Sequence, residues 1–193
     1  MLQLDKKCIA MLMLCCFWGC GPGSSDGDGN TDVNRDAYPE GPYGVEEGDI
    51  LDNLSFTEPD GSAFAFEDVF SDPENKLLLL STAAGWCTAC REEQGALQSL
   101  QETHGDAGLY VMVTIFEDNS SIEVEDAFVQ AWIEEYDLTI KVVGDAPFVM
   151  SNYYDSSLTP MNMIVDINTM EIVRKTTGWD PSTIDAIIEA KLY

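Results

Sequence analysis

The sequence predicts an α/β domain with a central mixed β-sheet, helices on its faces and an N-terminal β-hairpin. Three observations predict it. Leu77 to Thr82 is apolar on successive residues, as strands covered on both faces are. A helical pattern from Thr88 to Thr103 and a second apolar run from Leu109 to Phe116 follow, so the segment reads as a βαβ unit with parallel neighbours. Pairs of short runs joined by turns stand before and after this unit and read as antiparallel hairpins.

The chain begins with a segment that does not belong to that domain. Lys6 and Lys7 precede the apolar stretch from Ile9 to Gly19, which has the length of a signal-peptide core and is too short to span a bilayer comfortably. Residues 1–19 are therefore expected to direct export. Gly19-Cys20 resembles a bacterial lipobox, in which Cys20 becomes the lipidated first residue, although Phe17 and Trp18 stand where Leu and a small residue are usual. Simple cleavage and secretion, or a retained anchor, are the alternatives. From Cys20 to residue 47 the composition is Gly, Pro, Ser, Asp, Asn and Glu with few aliphatic residues, which reads as an acidic flexible linker. Its run from Asp26 to Asp32 has the alternating oxygens of a calcium loop, but Thr31 and Ala37 occupy the places of the loop Gly and bidentate Glu.

The domain is expected to cover residues 48–193. Its 45% hydrophobic share over the 193-residue chain is enough for one core. Leu54 to Thr57 and Ser62 to Phe66, separated by Glu58-Pro59-Asp60-Gly61, form the first hairpin, and Asp68-Val69-Phe70 a helical turn. Beyond the βαβ unit, Ser120 and Glu123 have the spacing of a capping box before a helix whose apolar stripe is Val124, Phe128, Trp132, Ile133 and Tyr136. Lys141 to Val143 is a short strand, and Ala146 to Tyr154 a loop or short helix. Pro160 opens a strand to Asp166 that pairs with Ile172 to Thr176. Asp180-Pro181 then supplies an N-cap and an N1 proline for a last helix with Ile184, Ile187 and Ile188 inward.

Charge excludes one class of function. Nine Lys and Arg face 35 Asp and Glu, a net charge of −26, so the surface repels nucleic acid and anionic lipid headgroups. Contact with a membrane is expected through a lipid anchor only.

The chemistry lies at Trp86-Cys87-Thr88-Ala89-Cys90, between the buried strand and the helix. A Cys-x-x-Cys loop at a helix start holds two sulfurs close enough to form and break a disulfide, and the free N–H groups there favour the thiolate. With Cys8, Cys15 and Cys16 in the export segment and Cys20 lipidated, Cys87 and Cys90 remain as a lone pair. That excludes a multi-disulfide scaffold and a four-thiolate zinc ribbon. Reversible dithiol exchange is the leading reading, with the redox-active pair itself in place of any cofactor or metal. A static disulfide in a redox-inert binding domain is one alternative. A copper-binding module is another, with Met150, Met161 and Met163 as soft donors; the only histidine, His104, lies at the far end of the helix.

Taken together, the hairpin with Pro-Asp-Gly, the strand before Trp86-Cys87-x-x-Cys90-Arg91-x-Glu93, the distant Thr159-Pro160 at a strand mouth, and Gly178 resemble the TlpA/ResA-like branch of thioredoxin-fold redoxins. The resemblance implies a thioredoxin-like fold and an extracytoplasmic thiol-disulfide oxidoreductase, a monomer held at the periplasmic or cell-surface side of a bacterial envelope. It would act on protein disulfides and be served by an upstream redox partner. It further implies that Cys87 is the attacking thiol, Cys90 the resolving one and Glu93 its proton acceptor. Trp86 would limit water access, and a cis Pro160 would present the backbone of Thr159 to substrate. The chain departs from its relatives in having Thr88-Ala89 between the cysteines and Gly95 where a proline is common. Ser81 replaces the buried Asp of thioredoxin, and Ala84 replaces the Thr that peroxiredoxins need, which argues against peroxide reduction.

Overall fold

The computed structural model describes residues 34–193; the expected export segment, Cys20 and the first part of the expected linker fall outside the described residues. Eleven elements follow in order: β1 Ser55–Thr57, β2 Ala63–Ala65, α1 Phe66–Ser71, β3 Leu77–Ala84, α2 Thr88–His104, β4 Leu109–Glu117, α3 Asp126–Tyr136, β5 Lys141–Gly144, β6 Met161–Asp166, β7 Glu171–Thr177 and α4 Pro181–Leu192. The sheet has the order β2-β1-β5-β4-β3-β6-β7. β3 runs parallel to β4 and β4 to β5, while β6, β7 and the N-terminal hairpin are antiparallel to their neighbours, so the sheet is mixed as expected.

All eight residues of β3 are buried, because the strand lies between β4 and β6 and both of its faces are covered. Leu77 and Leu79 face one apolar cluster with Leu97 of α2, Trp132 of α3 and Ile188 of α4. Leu78 and Leu80 face the other, with Phe66, Phe70, Met163 and Leu51. The period of two in a strand thus divides an unbroken apolar run between two layers. Among the described residues no helix is long and apolar enough to cross a membrane.

Two expectations are corrected. The Ser120/Glu123 pair does not cap α3, which begins at Asp126 behind Glu125. The Asp118 carboxylate instead accepts from the N–H groups of Ser120 at 2.7 Å and Ile122 at 3.1 Å, and the Val124 N–H bonds to the Phe116 carbonyl at 3.2 Å. A turn organised by its first aspartate therefore takes the residues the capping box would have used.

The second correction concerns the linker, expected to run to residue 47. Its last part is built onto the domain. Arg35 donates to the carbonyls of Phe70 at 2.7 Å and Asn75 at 3.0 Å and to Oδ1 of Asn168 at 2.9 Å, and its guanidinium lies 5.1 Å from the centre of the Phe70 ring. Tyr38 packs edge-on against Phe70 and donates to the Leu51 carbonyl at 2.9 Å. Gly48 and Asp49 then exchange backbone bonds with Ile172, which covers part of the β7 edge. A few long side chains order this segment, and an average over its polar composition hides them. Arg35→Ala is expected to cost about 2 kcal/mol by stranding those acceptors, read as a lower urea midpoint at unchanged slope. A midpoint unchanged from the parent would show that the strap contributes nothing.

Candidate active site

β3 ends in Ala83-Ala84, and Gly85 makes the turn into α2. A Cβ on Gly85 would lie 2.5 Å from the Asn119 nitrogen, so the close approach of the two loops requires glycine there. Cys87 is the N-cap of α2, and its Sγ accepts from the Cys90 N–H at 3.1 Å. Cys87 and Cys90 form a disulfide with their Cα atoms 5.3 Å apart. Cys87 is 5% exposed and Cys90 is 0% exposed, so only the first sulfur residue reaches solvent.

The Thr159-Pro160 bond is cis, and the Thr159 carbonyl lies 3.7 Å from the Cys87 Sγ. This loop is held where the ladder between β3 and β6 stops, at the pair Ser81 and Asn162. There the Thr82 hydroxyl takes over from the backbone. Its Oγ1 accepts from the Met161 N–H at 2.9 Å, the Thr159 hydroxyl donates to the Thr82 carbonyl at 3.2 Å, and the Pro160 carbonyl accepts from Gly178 at 2.8 Å. The structure therefore brings Cys87, Cys90, Thr159 and Pro160 together. Trp86 stands beside them, exposed, its indole N–H donating to Glu117 at 2.7 Å and its ring edge-on to Phe116.

Glu93, one turn beyond Cys90, is 3% exposed. Its Oε1 accepts from the Ser81 hydroxyl and its Oε2 from the Asn162 amide at 3.3 Å. Burial raises its carboxyl to about 7, against the lowering effect of those two hydrogen bonds. In the sequence Ser81 stands out only as a missing acid, and Asn162 draws no notice. The available signal was a lone amide inside the apolar run Met161 to Val165.

The other candidate donors lie elsewhere. Met150, Met161 and Met163 belong to the apolar cluster on the opposite face of the sheet from Cys87 and Cys90. His104 meets the Tyr193 hydroxyl at 3.1 Å. Among the described residues no group of three or more His, Cys, Asp or Glu side chains is gathered as a metal ion would need. Cys20 lies outside the described residues.

The AhpC/TSA family model matches residues 48–181. The chain is similar to the thioredoxin-like protein YneN of Bacillus subtilis, with 28% identity over 129 residues that cover 67% of this chain and 71% of that protein. It also superposes on a structure assigned as a thiol:disulfide interchange protein DsbE from Chlorobium tepidum, with a TM-score of 0.64 and 16% identity, covering 78% of this chain and 100% of that one. The exposed lipoprotein thioredoxin of Streptococcus pneumoniae matches with a TM-score of 0.58 and 17% identity over 72% of this chain and 99% of that one. These two likenesses are of fold.

Proposed function

The chain belongs to the AhpC/TSA family, within the thioredoxin-fold redoxins, and from that premise we propose that it is an exported, lipid-anchored thiol-disulfide oxidoreductase that reduces disulfides of extracytoplasmic proteins. The observation that carries this reading is the asymmetry of the pair. Cys87 retains the only exposure of the pair, beside the Thr159 carbonyl, while Cys90 is sealed behind it, one helical turn before the buried Glu93.

In the reduced protein the Cys87 thiolate attacks one sulfur of a substrate disulfide. That bond breaks, a Cys87–substrate disulfide forms, and the released sulfur takes a proton. Glu93 accepts the Cys90 proton, and the Cys90 thiolate attacks the Cys87 Sγ. The intramolecular disulfide closes and the second substrate sulfur leaves as a thiol. Two electrons have passed to the substrate, and an upstream dithiol must return the pair to its reduced form. Trp86 and the Thr159-Pro160 backbone are the surfaces on which an extended substrate segment would lie.

The lipid anchor at Cys20 rests on the lipobox-like segment and on the exposed lipoprotein among the structural relatives. Equilibration of the purified domain with a graded series of glutathione buffers, followed by thiol alkylation and mass spectrometry, is expected to show one reversible two-electron couple at Cys87 and Cys90. A pair that stays oxidised, or stays reduced, across the whole series would overturn the assignment. Mass analysis of the mature N-terminus from bacterial membranes checks Cys20 in the same preparation.

A further inference from the structure

We propose that Asn162 is a positioning residue for Glu93: the Gly178 carbonyl holds its amide as a hydrogen-bond donor, and this directs the exchangeable proton of Glu93 to Oε1, on the Ser81 side. The placement stands on geometry alone; its catalytic consequence rests on the reading of Glu93 as the proton acceptor of Cys90.

Both oxygens of the Glu93 carboxyl group have partners, and the partners differ in kind. The Asn162 Nδ2 lies 3.3 Å from Glu93 Oε2 and 3.2 Å from the Gly178 carbonyl oxygen. A carbonyl oxygen only accepts, so the amide edge between these two groups is the NH2 edge. Turned over, Oδ1 would face the Gly178 oxygen, acceptor against acceptor. The Asn162 Oδ1 is itself buried without a hydrogen-bond partner, a cost the site bears to keep the donor edge in place.

Ser81 is different, because a hydroxyl both donates and accepts. It donates to Oε1 of the carboxylate, and the hydroxyl oxygen can accept from Oε1–H once the acid is protonated. A proton on Oε2 would instead point at an N–H group. The ionised form thus uses both partners, and the protonated form is satisfied only with its proton on Oε1. That oxygen faces β3, the strand whose Thr82 carbonyl lies 3.8 Å from the Cys90 Sγ.

No charged side chain competes for this role. Burial is the largest influence on Glu93, and the Ser81 and Asn162 hydrogen bonds oppose it; no ion pair to Glu93 forms among the described residues. Lys175 on β7 bonds the Val45 carbonyl and pairs with Glu46, and Asp180 at the head of α4 accepts from the Thr183 N–H, so both are engaged elsewhere. From β3 and β6 Glu93 is met by a hydroxyl and an amide, and Asn162 in turn by the Gly178 carbonyl ahead of α4.

The test is the carboxyl carbon signal of Glu93 in the oxidised protein, followed against pH by NMR and identified by its loss in Glu93→Gln. In Asn162→Leu the midpoint is expected to rise by about one pH unit, as loss of a hydrogen bond to a charged group requires. Ser81→Ala is expected to move it less, because Ser81 serves both protonation states. Asn162→Ser reads the same quantity if the leucine variant fails to fold. An unmoved midpoint in a folded Asn162 variant, or a larger move in Ser81→Ala, overturns the proposal. The pH profile of Cys90 alkylation in reduced Cys87→Ser, with and without Asn162→Leu, separates the two readings. A moved carboxyl midpoint with an unmoved thiol profile upholds the placement of the proton and removes Glu93 from the relay.

Discussion

Cys87→Ser is expected to lower the rate of disulfide reduction by at least about a thousandfold, since no other described thiol reaches solvent at the site. Cys90→Ser is expected to behave differently. It retains the first attack and accumulates a mixed disulfide with the substrate, because the buried sulfur that would release it is gone. Turnover of a fluorescent disulfide peptide, with mass spectrometry of the trapped species, reads both outcomes. Mixed disulfide forming on Cys90 in the Cys87→Ser protein, at the parent rate, would reverse the assigned roles.

Glu93→Gln is expected to stabilise the oxidised protein above neutral pH by about 3 kcal/mol while slowing exchange by about tenfold or more. The sign follows from linkage. Burial raises the carboxyl from 4.5 to about 7 in the folded state, so between those values the folded protein binds a proton that the unfolded chain has lost. Stability therefore falls as pH rises from about 4.5 through 7, by about 1.4 kcal/mol for each pH unit crossed. Glutamine carries no charge to desolvate and flattens that slope. Urea unfolding of both proteins at a series of pH values checks it. Asp145 supplies the control. It is buried, accepts from the N–H groups of Val149 and Met150, and is raised to about 6 by burial, so its own slope has the same sign over a lower range. A decline that persists in Glu93→Gln and vanishes in Asp145→Asn would move the effect to Asp145.

The two predictions together describe one compromise. A carboxyl group raised to about 7 by burial, one helical turn beyond the cysteine proposed to resolve the mixed disulfide, would serve proton transfer and is costly for folding. The Ser81 and Asn162 hydrogen bonds bring it down toward the working range, and burial keeps water from doing the same.

Legibility in the sequence followed the range of the interactions. The apolar run of β3, the Cys-x-x-Cys pair at the head of α2, and the Asp180-Pro181 start of α4 are local devices, set by strand alternation, helix capping and backbone dihedrals. Each was readable without a partner. Failures came where a nearby residue competed for the same backbone groups, as Asp118 does at the mistaken cap, or where single side chains bound distant carbonyls, as Arg35 does from within the expected linker.

By itself the sequence determined the class of the domain, the place of the sulfur pair and the strongly negative net charge. It did so because spacing along a helix or strand translates directly into which side chains share a face. Only the tertiary structure decided what surrounds that pair. β6 inserts beside β3, which sets Asn162 opposite Ser81 and brings it to Glu93 across 69 residues of chain. That meeting depends on strand order and register, which no local pattern encodes, and it places the amide against the carboxyl group one helical turn beyond Cys90.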